Sequence, residues 1–312
     1  MHGNLIFILD WLAASIRYAA PVALASVGSV YSERSGIFNI GIEGMMLIGA
    51  FFGILGSYYT DSVLVGVMAA MLAGLLCSLI HAYMSVTLSA NQIISGQAIN
   101  LLAVGITNFL NRALLGHLSG VRVPGFAVIK IPLLHKIPIV GQLFFQQTAH
   151  VYLAYLIPII GAWILYRTTW GLNVRAAGEH PQAVRSAGLS VERIRYATIA
   201  LSGLMAGLGG AAVSLGEVRI FTQEMTGGRG FVVLAAIVVG KWNPALTGLA
   251  CLLFGGASAL QTRAQTLGAL DIIPHQFYNM LPYLLTCAAL AGFVGRTVQP
   301  EKLGEPYDPE QD

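Results

Sequence analysis

Residues 62–111, SVLVGVMAAMLAGLLCSLIHAYMSVTLSANQIISGQAINLLAVGITNFLN, run for 50 positions without Asp, Glu, Lys or Arg. A helix crosses the hydrocarbon core of a bilayer with about 20 apolar residues, so this stretch alone holds two crossings. Two further charge-free runs, 30 residues at 137–166 and 24 at 272–295, extend the pattern. Only 10% of the 312 residues are charged, against roughly 25% in a soluble domain. A membrane-spanning barrel would need apolar/polar alternation in segments of about ten residues, and nothing here alternates in that way. The expected fold is therefore all-α, a polytopic bundle over residues 1–295.

Crossings are expected at 9–31, 38–56, 62–88, 92–112, 149–167, 196–215, 230–240, 244–263 and 276–295, about nine in all. Two are poor helices by themselves. Six glycines crowd the second, from Gly36 to Gly56. The seventh has about 11 residues between Gly-rich and Gly/Pro-rich flanks and covers about 17 Å, short of a bilayer of about 30 Å. Such interrupted segments mark the broken helices of transporters. Glycine also lets helices approach closely, and Gly49-x3-Gly53 and Gly203-x3-Gly207 have that spacing.

A net charge of +3 is too small to indicate nucleic acid. Cys77, Cys251 and Cys287 lie far apart in apolar runs, without metal or redox spacing. The N-terminus lacks the basic region of a secretory signal. Residues 296–312 are polar, acidic and Pro-rich, which reads as a disordered tail. Five arginines, Arg167, Arg175, Arg185, Arg193 and Arg195, crowd the connection 168–195 and its edges. The positive-inside rule places it in the cytoplasm. That puts the N-terminus and the long connection 113–148 outside and the tail inside. Arg122, Lys130 and Lys136 in 113–148 weaken the bias without matching the density of the arginine cluster.

Within 168–195, Pro181 suits the first turn of a helix and Gly188 the residue past its end. Ser190 then caps the following helix, with Glu192 in its first turn. A short crosswise helix, Pro181 to Ala187, could push on a soluble partner or simply lie on the membrane face.

The pattern Gly178-x2-Pro181-x-Ala183-x3-Ala187-Gly188 resembles the coupling loop of ABC importer permeases of the branched-chain amino acid and sugar class. Glu33-Arg-Ser-Gly-Ile-Phe-Asn39-Ile-Gly-Ile-Glu43-Gly-Met-Met is similar to the signature of its simple-sugar/nucleoside branch. Asn91-Gln-Ile-Ile-Ser-Gly-Gln-Ala-Ile-Asn100 and Ile131-Pro-Leu-Leu-x3-Pro138-x2-Gly141-x2-Phe144-Phe145 match the same branch. The likeness covers roughly residues 15 to 297, and Gln92 makes the chain resemble the shorter of two paired permeases. It implies a type II-like half-transporter in the cytoplasmic membrane, importing nucleosides or related simple sugars. The implied partners are a second permease, ATPase subunits that bind ATP, and an extracytoplasmic substrate-binding protein. Gly178, Glu179, Pro181, Ala183, Ala187 and Gly188 would be the ATPase-coupling residues. No P-loop occurs, since Gly240-Lys241 is followed by Trp242, and no hydrolase or metalloprotease signature is present.

Polar groups inside hydrocarbon are costly, so each is a candidate site. Asn39 and Glu43 are spaced to share a helical face. Gln92, Gln97 and Asn100 open the fourth crossing, and Asn108 lies two turns beyond Asn100. Their amides suit ribose hydroxyls or base edges, and they could equally hold helices together. His81 reads as a packed, hydrogen-bonded residue. Glu217, Arg219, Glu224 and Arg229 fall in an external turn, as a docking surface or a solvated face. Two other classes stay open: an ion-coupled carrier using Glu43 as its coupling acid, and a scaffold without transport.

Overall fold

A long, apolar, charge-free stretch in hydrocarbon has no choice but to close its backbone hydrogen bonds locally, as a helix. The computed structural model describes residues 2–116, 122–132, 134–137, 139–266 and 298–307, with isolated positions at 280, 284, 287 and 288. Eleven α-helices are among these: α1 (His2–Arg34), α2 (Ile42–Thr60), α3 (Val63–Ala82), α4 (Gln92–Leu110), α5 (Val140–Phe144), α6 (Ala149–Arg167), α7 (Thr169–Glu179), α8 (Pro181–Ser186), α9 (Val191–Ala211), α10 (Arg229–Val239) and α11 (Pro244–Thr266). Among the described residues, seven segments are long and apolar enough to span a bilayer: Phe7–Arg34, Ile42–Thr60, Val63–Thr87, Gln92–Leu115, Ala149–Arg167, Val191–Val218 and Pro244–Arg263. They correspond to seven of the expected crossings. The seventh expected crossing, 230–240, is the short α10, and the ninth, 276–295, lies outside the described residues apart from 280, 284, 287 and 288.

α1 and α9 form the centre. α1 packs on α9, α11 and α6, while α9 also packs on α2 and α3. Hydroxyls stitch the α1–α9 seam: Ser29 meets Ser202 at 3.3 Å and Ser35 meets Thr198 at 2.8 Å. At the crossing of α2, α3 and α9 the backbones nearly touch. A methyl group at Gly49 would lie 2.7 Å from the Gly207 Cα, and one at Gly74 would lie 2.9 Å from the same atom. Small residues at such crossings maximise dispersion contacts where lipid removes the hydrophobic drive. α4 packs mainly on α2 and leaves Ile94, Leu101 and Phe109 exposed.

Three expectations need correction. The second crossing starts at Ile42, not 38, because residues 37–39 are irregular and Asn39 precedes the helix. Asn39 and Glu43 therefore share no helical face. The connection 168–195 is more than one short helix in a loop. α7 fills its first half, capped by the Thr168 hydroxyl, which accepts from the Gly171 N–H at 3.1 Å. Last, residues 298–307 are held in place, contrary to a disordered tail. The Lys302 N–H donates to the Gly178 carbonyl (2.9 Å) and the Gly304 N–H to the Gly36 carbonyl (3.0 Å). The connection 113–148 also carries a small antiparallel ribbon, β1 (Val128–Lys130) with β2 (Gln146–Thr148).

Candidate functional site: a half-helix and the charges around it

α10 has 11 residues and rises about 17 Å. That covers only about half of a bilayer core of about 30 Å. Residues 219–228 ahead of it are not helical, so irregular backbone leads to its start. Hydrocarbon does not tolerate unpaired backbone groups, and their partners must come from the protein.

Glu43 supplies them. One carboxylate oxygen accepts from the Thr226 hydroxyl (2.6 Å) and the Gly228 N–H (2.9 Å), and the other from the Gly230 N–H (2.6 Å). A carboxylate from α2 thus caps the positive end of α10, where the helix dipole favours an anion. The approach requires glycine: a methyl group at Gly230 would sit 2.5 Å from both the Cα and the N of Glu43. The opposite end carries the complementary charge. Arg34 donates to the carbonyls of Trp242 (2.9 Å) and Lys241 (3.2 Å), and Trp242 Nε1 donates to Glu33 (2.6 Å). Lys241 and Trp242 both adopt positive φ, 54° and 53°, to make this turn.

A second charged group lies beside the clamp. Arg229 and Glu217 form an ion pair at 2.8 Å, with the guanidinium 5.9 Å from the Tyr18 ring centre. Glu217 Oε1 and Arg229 Nη1 are buried without hydrogen-bond partners. Neighbouring Arg17 is exposed on α1 inside a membrane-spanning segment. An arginine there must face protein or a water-filled space rather than lipid.

The residues singled out by polarity in the sequence have mixed placements. Asn39 is fully buried and donates to Ser202 on α9 (3.1 Å). Gln92 accepts from the Phe38 N–H at 2.7 Å. Asn100 accepts from the Gly44 N–H (2.8 Å) and donates to the Ile40 carbonyl (3.1 Å) and to Gln97 (3.2 Å). These amides tie the irregular segment 37–41 and the start of α2 to α4 and α9. Gln97 itself is exposed on α4, and Asn108 is half-buried with its Oδ1 unpartnered. His81 is packed and bonded to Ser95 at 2.6 Å. Glu217 and Arg229 do not form a solvated turn; they pair inside the bundle, while Glu224 is exposed and Arg219 donates to the Phe126 carbonyl. Arg17 and the Glu217–Arg229 pair are charges that the sequence reading passes over; for Arg229 the available signal is the shortness of the 230–240 run, which draws its flank toward the membrane.

At the end of the bundle that carries α7 and α8, Gly178 packs against the foot of α1: a methyl group there would lie 3.1 Å from the Gly36 N. Glu179 stands 3.8 Å from Arg34. On α8, Pro181 and Val184 are buried while Gln182, Ala183 and Ser186 are exposed; exposed Ala187 ends it and Gly188 turns the chain at φ +79°.

Comparison with known proteins gives a consistent answer. The chain is 40% identical over 302 residues to the guanosine ABC transporter permease protein NupQ of Bacillus subtilis, covering 94% of this chain and 95% of that protein. It is 34% identical to the nucleoside ABC transporter permease protein NupC of Lactococcus lactis, covering 97% and 98% of the two chains. A second guanosine permease protein of Bacillus subtilis, NupP, is 26% identical over 79% of this chain and 72% of its own length. A family model described as the permease component of the branched-chain amino acid transport system matches residues 11–290, so this multi-pass membrane protein belongs to that permease family.

Proposed function

We propose that the protein is one of two non-identical permeases in an ATP-driven importer of nucleosides, with ATPase subunits at the α7–α8 end and a substrate-binding protein at the other. The observation that carries a transport role is the half-helix α10, too short to cross a bilayer core of about 30 Å and starting among Glu43, Glu217 and Arg229. A scaffold has no use for charges gathered at the end of a broken helix, whereas a solute path does. End-to-end likeness to guanosine and nucleoside permeases supports the substrate class. Two guanosine permeases in one organism support an unlike pair. Against an ion-coupled carrier stands the geometry of Glu43, whose two oxygens are committed to three protein donors.

In this reading α8 faces the cytoplasm and is pushed by the ATPase. α7 carries the push to the foot of α1 through Gly178 and Glu179, and Arg34 passes it to α10. Nucleotide state then biases two arrangements of the bundle, and solute moves because the populations shift. The test is uptake of labelled guanosine into proteoliposomes holding the complete complex. Uptake should need ATP on the α8 side and persist with a protonophore. Uptake driven by a proton gradient without ATP would overturn the reading, as would labelling of a cysteine at Gln182 from outside intact cells.

A further inference from the structure

α8 has six residues, about 9 Å of helix, and its face away from the protein offers four exposed side chains, Gln182, Ala183, Arg185 and Ser186. A stable interface buries about 800 Å² on each partner, several times what so small a helix presents. The structure supplies a second surface next to it. Residues 298–307 run across the same end of the bundle, and a cleft of about 400 Å³ opens between this strap and α8. Its walls are Glu179, His180, Pro181 and Ala183 on one side and Glu301 and Lys302 on the other.

Strap and helix are joined as one unit. Backbone bonds link Lys302 N–H to the Gly178 carbonyl (2.9 Å), and Glu301 N–H donates to the Glu179 carboxylate (3.2 Å). Tyr307 packs on the small core formed by Ala177, Val184 and Val191, which is the buried side of α8. The same strap is also anchored to the helices that would respond. Gly304 N–H donates to the Gly36 carbonyl at the foot of α1. Arg195 of α9, fully buried, donates to the carbonyls of Ser35 and Glu305 and lies 5.7 Å from the Tyr307 ring centre. Gly304, at φ +83°, makes the turn that brings both anchors into register.

We infer that residues 298–307 are the second arm of the ATPase-docking surface, so that the partner grips α8 and the strap together and moves both against α1 and α9. The inference rests on the proposed ATPase partner and adds the strap to it. The polar cleft walls and the exposed His180 and Glu301 suit a polar, rim-like contact of the kind seen at reversible interfaces.

The test uses the assembled complex with a photo-crosslinking amino acid placed singly at position 182, 301 or 64, the last on exposed Leu64 at the far end of the bundle. Crosslinks to the ATPase are expected from 182 and 301 and not from 64. A crosslink from 182 with none from 301 overturns the strap assignment while leaving the ATPase reading intact; none from either position overturns both. A functional arm follows. Glu179→Cys with Glu301→Cys, in a chain freed of its native cysteines, should form a disulfide, and guanosine uptake by that double variant should be the same with the disulfide closed as after its reduction, because the two segments move together. Glu301→Lys should lower uptake several-fold at equal complex yield. Loss of uptake on closing the disulfide, restored by reduction, would show that strap and α8 must separate, and would defeat the single-body arrangement.

Discussion

Glu43 shows how a residue's chemistry and its role can part company. Its carboxylate, placed by sequence on a transport path, is engaged by three donors at the start of α10. Removing it leaves those donors unpaired at a cost of about 1–3 kcal/mol each where no water replaces it. Glu43→Ala should therefore lower stability by about 3 kcal/mol or more, seen as a marked fall in the thermal midpoint of the purified complex. Glu43→Gln keeps an acceptor and should retain much of that stability. If Glu43 instead served as a proton-coupling acid, Gln would leave the midpoint untouched and remove the pH dependence of uptake. Asn100 belongs to the same class, since it holds the Gly44 N–H and the Ile40 carbonyl. Asn100→Leu should cost about 1–3 kcal/mol and reduce complex yield, with uptake per assembled complex nearly intact. Normal yield together with lost uptake would restore its place on the path.

At the scale of the element, α10 depends on partners from two other helices. Isolated helices of fewer than about 12 residues are marginal, and this one has 11. It persists because an anion from α2 caps its positive end and a cation from α1 caps its negative end, the arrangement its dipole favours. The prediction is that Gly230→Ala, which forces a side chain into the Glu43 backbone, destabilises by about 1–3 kcal/mol as other overpacked sites do. It should also raise protease sensitivity in 219–228, and limited proteolysis of the purified complex would reveal whether the clamp has loosened. α7 carries the opposite lesson. Its 11 residues of mixed polarity, with Gly171 and Gly178 inside, show no membrane-length apolar run, so by sequence they read only as part of a connection. Its start, however, is written locally in the Thr168 cap.

For the whole molecule, the charged residues inside the membrane indicate how much of the assembly lies beyond this chain. Arg17 is exposed on α1 within a membrane span, and Gln97 is exposed on α4. Facing hydrocarbon would be costly for both, and in the proposed complex the second permease or a water-filled path between the two would cover them. Arg17→Leu should therefore leave this subunit stable and reduce either pairing or uptake. Co-purification of the second permease, with uptake normalised to the paired complex, separates those outcomes; no change in either would remove Arg17 from the interface and the path. Exchanging Glu217 and Arg229 for each other should preserve more stability than either single reversal, since the 2.8 Å pair is re-formed, and a double-mutant cycle on the thermal midpoint measures that coupling.

The sequence by itself determined the helical class and the position of seven long spans, because an apolar run in hydrocarbon can satisfy its backbone only as a helix. Bounds such as 149–167 coincide with α6 (Ala149–Arg167) because polar and charged residues mark where the hydrocarbon ends. The bracketed helix α8 was legible for a similar reason: Pro181 and Gly188 act within one turn. Only the tertiary structure decided what the polar residues do. Glu43 meets α10 some 185 positions later in the chain, Asn39 meets Ser202, and Lys302 meets Gly178. Which of these partners come together depends on how the helices cross, and helix crossings are set by packing of the whole bundle rather than by any local pattern.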